Sequence, residues 1–157
     1  MKKIIVVRHG DYDDDELNEY GRLQIQTLGA AIKSSLTGCT VDMKSSTAKR
    51  AQQSSDILAE ILGIGYELFG FLWSGADSPR ANKFDLVAVS KLILESEADV
   101  VILVTHLEYS EVIPTFWARK HLGGVQGFPS RETAKGEAWV IDCEKKTCKK
   151  MAPKITE

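Results

Sequence analysis

The chain has 157 residues, 43% of them hydrophobic and 27% charged, which is enough apolar content for one folded domain with a core. Its 20 Lys and Arg against 22 Asp and Glu give a net charge of −2 without a concentrated basic stripe, so we expect no nucleic-acid partner. The longest apolar runs, Ile4 to Val7 and Val100 to Val104, are far shorter than the roughly 20 residues of a membrane span, so we expect no membrane association.

The N-terminus and the cysteines favour a cytoplasmic protein. Met1-Lys2-Lys3 leads straight into a short apolar run, without the long hydrophobic region and cleavage site of a signal peptide. Cys39, Cys143 and Cys148 are an odd set without CxxC spacing, so we interpret them as reduced structural thiols. We therefore expect neither a disulfide framework nor a zinc ribbon. We also expect no cofactor.

Short apolar runs alternate along the chain with longer segments of helical period. The first run, Lys3 to Val7, is predicted to be a central strand that ends at Arg8-His9-Gly10. An acidic loop, Asp11 to Glu16, is predicted to follow it. Asn18 is then predicted to cap a helix, in which apolar residues recur at helical spacing as far as about Leu36.

A second strand and helix repeat this arrangement. The strand is predicted at Val41 to Lys44, and the hydroxyls of Ser45-Ser46-Thr47 are expected to cap the helix that follows. Arg50 would then lie in the first turn of that helix. A weak strand signal from Tyr66 to Phe69 precedes a loop, Gly70 to Arg80, that we expect to be mobile.

The third helix and the clearest strand come next. Asn82 is predicted to cap this helix, with Asp85 three residues on as part of a capping box. Asp99 to Thr105 contains five consecutive apolar residues, which is typical of a strand covered on both faces. This strand ends at His106.

The C-terminal third completes the fold. A fourth helix contains Pro114, which is expected to bend it or delay its start, and ends at Gly123-Gly124. Alternation from Ala138 to Ile141 and a short return through Cys148 predict an antiparallel hairpin at the sheet edge. The pattern predicts an α/β fold in a single domain over residues 1–157: a three-layer α/β/α sandwich with a mostly parallel central sheet and an antiparallel C-terminal edge hairpin.

Two predicted strands end in histidine, at His9 and His106. Ligands of open α/β sheets bind beyond the carboxyl ends of the strands, so the two imidazoles are expected to meet there. Arg8 follows the first strand, and Arg50 lies at a helix N-terminus, where free N–H groups favour an anion. Because a guanidinium pairs with two oxygens at once, the two arginines predict a phosphate pocket.

Imidazoles in such a pocket suit phosphoryl transfer. A neutral ring nitrogen is nucleophilic, and the turn at Arg8-His9-Gly10 offers a carbonyl to the proton on the other nitrogen. The second histidine, when protonated, would hydrogen-bond an equatorial oxygen as charge develops.

Four segments in order resemble the histidine phosphatase, or phosphoglycerate mutase-like, superfamily. They are Arg8-His9-Gly10 after a strand, Leu17-Asn18-Glu19-Tyr20-Gly21 opening a helix, Ser45-Ser46-Thr47-Ala48-Lys49-Arg50-Ala51-Gln52-Gln53 at a strand-to-helix junction, and Thr105-His106 after a buried strand. The resemblance implies that His9 becomes phosphorylated, that Arg8, Arg50 and His106 bind the phosphoryl group, and that no metal is needed.

Details of the motifs look most like the small bacterial phosphohistidine phosphatase branch. Arg-His-Gly-Asp stands at positions 8 to 11, and Leu107 follows the second histidine. Ser46-Thr47 replaces the usual Ser-Pro, and Phe69 to Gly75 holds no equivalent of the glutamate that donates a proton in the mutase-like branch. A leaving imidazole accepts a proton readily, which mildly favours phosphohistidine substrates. Asp11 is a candidate general acid or a loop cap.

The sequence predicts a metal-independent phosphatase that works through a phosphohistidine intermediate on its own chain. Its partner would be a phosphohistidine protein or a phosphorylated small molecule. The alternative is a phosphate-binding pseudoenzyme that acts as a binding module, motivated by the missing glutamate. Among the remaining residues, Trp73 is either a substrate wall or part of a small core, Asp77 a turn residue and His121 structural. The run Asp13 to Glu16 is interpreted as a solvated surface, and the alternative is that it discourages highly anionic substrates near the rim of the pocket.

Overall fold

The computed structural model describes residues 1–73, 85–124 and 133–155. The strands, in chain order, are β1 (Lys3–Arg8), β2 (Tyr12–Asp13), β3 (Glu16–Leu17), β4 (Val41–Ser45), β5 (Glu67–Leu68), β6 (Val100–Thr105), β7 (Ala138–Asp142) and β8 (Thr147–Met151). The helices are α1 (Glu19–Ser35), α2 (Lys49–Leu62), α3 (Leu86–Leu94) and α4 (Leu107–His121), with a short 3-10 turn at Gly70–Leu72.

Six strands form one sheet in the order β5-β4-β6-β1-β7-β8. The first four run parallel, whereas β7 is antiparallel to β1 and β8 to β7. This confirms the predicted mostly parallel sheet with an antiparallel edge hairpin. The parallel strands end at the same edge, so the segments that follow β1, β4 and β6 lie side by side.

Helices cover both faces of the sheet. Because side chains alternate along a strand, Ile5 and Val7 of β1 pack on one side, and Ile4 and Val6 on the other. The first side packs against buried residues of α1 and α2: Ile25, Leu28, Ile32, Ala51 and Leu58. The second packs against buried residues of α3 and α4: Val89, Ile93, Tyr109, Ile113 and Trp117. Every residue of β6 is buried, as its continuous apolar run predicted. No helix in the described segments has the length and apolar character needed to cross a bilayer.

Several helix boundaries follow the predicted signals and others do not. Asn18 caps α1, accepting from the Gly21 N–H at 2.8 Å. The cap of α3 is Asp85, which accepts from the Ala88 N–H at 2.9 Å, so the predicted start at Asn82 is wrong by three residues. The short aspartate side chain satisfies a free N–H of the first turn, so the helix begins there. Asn82 itself, Asp77 and the rest of the predicted loop to Arg80 lie outside the described residues.

The starts of α2 and α4 correct two further expectations. The N-cap of α2 is Ala48, which supplies no side-chain cap, and Ser46 Oγ instead accepts from the Ala48 N–H at 3.2 Å. Helix α4 begins directly after His106, so Pro114 does not delay it. A proline disturbs the bond to the carbonyl four residues earlier, and at position 114 that is beyond the first turn.

The predicted acidic loop is a small β-hairpin. Tyr12 pairs with Leu17, and Asp13 with Glu16. Between them Asp14 and Asp15 have φ values of 48° and 68°. Two consecutive left-handed residues form the turn that suits the twist of a two-residue hairpin. Asparagine and glycine usually mark this turn, so a run of acidic residues gave no hairpin signal.

Candidate active site

The site lies where β1 and β6 end side by side. Arg8 is in register with Thr105, so His9 and His106 are the next residues of two neighbouring parallel strands. Their ring centroids are 5.0 Å apart, and each residue is only 3% exposed. The structure thus brings together the two imidazoles that the sequence placed at strand ends.

The His9 ring is fixed by contacts at both nitrogens. Its Nδ1 lies 2.9 Å from the Gly10 carbonyl oxygen, and the Nε–H of Arg50 points at its Nε2 from 3.2 Å. A carbonyl only accepts and a guanidinium only donates, so Nδ1 carries the proton and Nε2 keeps its lone pair. This is the tautomer that a nucleophilic histidine needs.

His106 has the opposite tautomer. Nη2 of Arg50 lies 3.3 Å from His106 Nδ1, and Ser46 Oγ lies 2.8 Å from Nε2. Because Nδ1 faces a donor, the ring proton is on Nε2 and is donated to the serine hydroxyl. Sequence reasoning assigned Ser46 to a helix cap, whereas here its hydroxyl orients the second imidazole.

Arg50 connects the two histidines. Besides its bonds to both rings, its Nη1 forms an ion pair with Asp15. The guanidinium lies 4.7 Å from the Tyr12 ring centroid and 5.8 Å from that of Trp73, and the side chain is 14% exposed. Two aromatic faces and a carboxylate therefore hold a cation between two imidazoles.

Arg8 adjoins the same site from the end of β1. Its Nη1 donates to the Thr133 carbonyl at 2.6 Å. The Gly136 N–H reaches the carbonyl oxygens of Arg8 at 3.1 Å and His9 at 3.0 Å. The segment before β7 thus braces the turn that carries the first imidazole.

Both histidines are neutral in this setting. Burial lowers the pKa of His9 to about 3, and the charges of Arg50 and Arg8 act in the same direction. Burial likewise lowers the pKa of His106 to about 2, helped by His9 and Arg50. The sequence predicted that the second histidine, when protonated, would hydrogen-bond an equatorial phosphoryl oxygen. Burial and the arginines disfavour that proton, and an arriving dianion would oppose the effect of the arginines.

This burial predicts that the protein loses stability below neutral pH. Unfolded histidines titrate near 6.5 whereas the folded ones do not, so the unfolded state binds more protons from pH 6.5 down to about pH 3. We expect the free energy of unfolding, measured by urea titration, to fall by about 2 kcal/mol per histidine between pH 7 and pH 5. His106→Gln should remove half of that fall, and His121→Gln, at an exposed position, should leave it intact. An equal fall in all three proteins would contradict the assignment.

Asp11 lies beside the site but is tied to other groups. Its carboxylate accepts from Asn18 Nδ2 at 3.0 Å and from Lys135 Nζ at 3.0 Å. The Asn18 bond, followed by that of Lys135, lowers the pKa of Asp11. These contacts favour the loop-anchoring interpretation of Asp11 over that of a proton donor.

Trp73 combines the two roles that the sequence left open. Its ring stacks on His106 with centroids 6.1 Å apart and an interplanar angle of 14°. It also packs on the core cluster beneath α1 and α2. Trp73 therefore forms a wall of the site and part of the core at once. His121 packs against Trp117, at 4.0 Å between centroids.

Asp15 and Tyr12 are site residues that the sequence did not reveal. Both come from the β2–β3 hairpin, and their contacts with Arg50 depend on that unrecognised element. Lys135 completes this rim, 4.9 Å from the Tyr12 ring centroid.

No protein-family model and no curated protein matches the sequence. Solved structures do match the fold. The protein histidine phosphatase SixA complexed with tungstate is 17% identical over 96% of this chain and 97% of its own, with a TM-score of 0.69. SixA from Agrobacterium tumefaciens is 16% identical over 96% of this chain and 95% of its own, with a TM-score of 0.66. A mycobacterial glucosyl-3-phosphoglycerate phosphatase complexed with VO3 is 16% identical over 89% of this chain and 90% of its own, with a TM-score of 0.65. The protein has the histidine phosphatase fold, as the sequence motifs predicted.

Proposed function

We propose that the protein is a phosphatase that forms a phosphohistidine on His9. The observation that carries this proposal is the state of the His9 ring: Nδ1 is bound to the Gly10 carbonyl, and Nε2, freed of its proton, faces the guanidinium of Arg50. A buried neutral imidazole beside fixed positive charge suits attack on a phosphoryl group. The fold shared with phosphatases, one of them complexed with tungstate, supports this proposal.

In the first step, His9 Nε2 attacks phosphorus. A P–N bond forms while the bond from phosphorus to the leaving group breaks. Arg50 donates its Nε–H and Nη2–H to the two imidazoles. On ligand binding these N–H groups turn to the phosphoryl oxygens, with Arg8 adding its charge. Positioning and charge stabilisation supply most of the acceleration.

In the second step, water attacks the phosphohistidine. A P–O bond forms, the P–N bond breaks, and phosphate leaves with His9 neutral again. His106 stays beside the transferred group throughout, with its ring oriented by Ser46 and by the stacked Trp73. The bound dianion favours the protonated form of His106, and its Nδ1–H then donates to a phosphoryl oxygen.

The leaving group defines the substrate class. The described part of the segment after β5, Phe69 to Trp73, contains no carboxylate, and Asp11 is held as an anion by its partners. A leaving group that accepts a proton easily, such as the imidazole of a phosphohistidine, needs a general acid least. We propose phosphohistidine proteins first and small phosphomonoesters second, both without a metal.

A binding module that reads phosphate without turnover is the second candidate. The same lack of a carboxylate favours it. In that case the two arginines and the two histidines would hold a phosphoryl group and release it unchanged.

A rapid-quench experiment tests the phosphatase. The protein is mixed with a labelled phosphohistidine carrier protein or a labelled sugar phosphate, in EDTA, and quenched within milliseconds. We expect label on the protein that survives alkali and is lost in acid, which is the behaviour of a P–N bond. Acid-stable label would indicate a serine or threonine ester instead. Saturable phosphate binding without label or turnover on either substrate would establish the binding module.

A further inference from the structure

Asp15 forms an ion pair with Arg50, the residue that is proposed to bind the phosphoryl group. Its carboxylate forms an ion pair with Nη1 of Arg50, while Nε and Nη2 of the same guanidinium contact His9 and His106. All three side-chain nitrogens of Arg50 therefore have partners within the chain. A phosphoryl dianion that binds between the histidines has to share Arg50 with Asp15 or displace it.

The hairpin holds Asp15 in this position. Glu16 pairs with Lys49 at 2.5 Å, and the Leu17 N–H donates to Gln53 Oε1 at 2.6 Å. Lys49 and Gln53 belong to α2, the helix that also carries Arg50. The β2–β3 hairpin is thus bound to α2, and α2 also carries the Arg50 guanidinium. This shared attachment fixes the distance between the Asp15 carboxylate and Arg50.

Asp15 differs from the neighbouring acidic residues in the cation with which its carboxylate pairs. Asp11 is neutralised by Lys135 and Glu16 by Lys49, and neither lysine contacts an imidazole. The partner of Asp15 is the cation that would bind the phosphoryl group. Once Nε and Nη2 of Arg50 turn to the phosphoryl oxygens, Asp15 shares its cation with the dianion, so its negative charge is less fully compensated. Its side chain is 38% exposed, so it lies on the solvent-facing rim of the site.

We propose that Asp15 is a specificity-determining residue that weakens the hold of Arg50 on free phosphate and selects against leaving groups bearing a further negative charge. Neutral leaving groups are accepted, and cationic ones are preferred because they compensate the Asp15 charge that Arg50 then shares with the phosphoryl group. This rests on the proposed function for the identity of the ligand. It narrows that function to phosphorylated groups in a neutral or basic setting, such as a phosphorylated side chain flanked by lysine or arginine.

Asp15→Asn tests this with Glu16→Gln as the matched control. Both variants remove one negative charge from the same hairpin, but the Glu16 carboxylate pairs with Lys49 rather than with Arg50. Calorimetry with inorganic phosphate should show the dissociation constant of D15N lowered about fivefold, as expected for about 1 kcal/mol of charge interaction near a surface. E16Q should stay within about twofold of the parent protein.

Three aryl phosphates then test selection: p-nitrophenyl phosphate, 4-carboxyphenyl phosphate and O-phosphotyramine. We compare kcat/KM of D15N with that of the parent for each compound, so that intrinsic leaving-group reactivity cancels. The ratio should be highest for the carboxylate, intermediate for the nitro compound and below one for the amine. Equal ratios would overturn the proposed selection. Weaker phosphate binding in D15N would show that Asp15 only supports Arg50, and unchanged binding would show that it has no influence; either result overturns the proposal.

The calorimetric arm does not depend on turnover. If the parent protein hydrolyses none of the three compounds, the rapid-quench experiment with the phosphohistidine carrier protein decides the phosphatase proposal, and the three compounds are compared as ligands. The proposed role of Asp15 is then tested by binding. The gain in affinity of D15N over the parent should be largest for the carboxylate, intermediate for the nitro compound and smallest for the amine, and equal changes would overturn the proposal.

Discussion

Replacing His9 with alanine is expected to abolish turnover of p-nitrophenyl phosphate in EDTA while the protein stays folded. The His9 ring offers its Nε2 lone pair to the site, and in our mechanism Nε2 is the protein atom that bonds to phosphorus. Loss of a nucleophile or of its activating base typically costs at least about a thousandfold in kcat. Rapid quench of H9A should yield no acid-labile label.

His106→Ala is the informative comparison. The second imidazole contacts Arg50 and Ser46 but forms no covalent bond in the proposed reaction. Its removal should lower kcat about a hundredfold to a thousandfold, the usual effect of losing one transition-state donor. H106A should therefore still form labelled protein, more slowly. Label on H9A, or full activity in it, would contradict the assignment of the nucleophile.

A small nucleophile gives a further check on His9. Free imidazole fits the space that H9A opens and supplies the missing ring nitrogen in trans. We expect added imidazole to restore turnover of H9A in proportion to its concentration and to leave H106A unchanged. Rescue of both variants alike would indicate catalysis in solution rather than at the site.

The sequence predicted the framework of the site because that framework depends on local signals. Buried apolar strands, a helix cap at Asn18 and the segments that follow β1, β4 and β6 are all visible as runs and junctions. Parallel strands bring their ends together, so His9 and His106 were expected to meet, and their ring centroids are 5.0 Å apart. The family resemblance added the expected roles of these residues, nucleophile for His9 and phosphoryl binding for His106, and the variants above test them.

What the sequence could not predict depends on side chains from distant elements. Ser46 has the appearance of a cap, and only the approach of β6 gives its hydroxyl a histidine partner. Asp15 looks like one of several solvated acids until a two-residue turn places it on Arg50. Both contacts join residues more than thirty positions apart, for which hydrophobic period and capping rules carry no information.

Replacing Gly21 with alanine is expected to destabilise the protein severely, against the ordinary preference of helices. Alanine stabilises a helix interior by about 1 kcal/mol relative to glycine. At Gly21, however, a Cβ would lie 2.8 Å from the Asp11 nitrogen and closer still to its carbonyl oxygen, which are backbone atoms that cannot move aside. The β1–α1 junction would have to shift as a whole. We expect the free energy of unfolding to drop by about 3 kcal/mol, the upper range for overpacking.

Gly29→Ala, on the same helix, is the matched control. Its Cβ would meet side-chain ends of α2, 2.7 Å from Ile61 Cδ1 and 3.3 Å from Leu58 Cδ2, and these can rotate away. We expect a loss below about 1 kcal/mol for G29A by urea unfolding. Activity should separate the two variants further. Gly10, whose carbonyl accepts the His9 ring proton, packs against the same backbone, since a Cβ on it would lie 2.6 Å from the Gly21 carbonyl oxygen.

A displaced Gly10 carbonyl would leave the His9 ring free to turn, so folded G21A should lose turnover under conditions where folded G29A keeps it. Assays at low temperature, with the folded fraction of each variant measured by circular dichroism, separate this effect from unfolding. If G21A is as stable and as active as G29A, the close approach of these two turns does not position the nucleophile. If only the stability falls, the junction supports the fold without setting the orientation of His9.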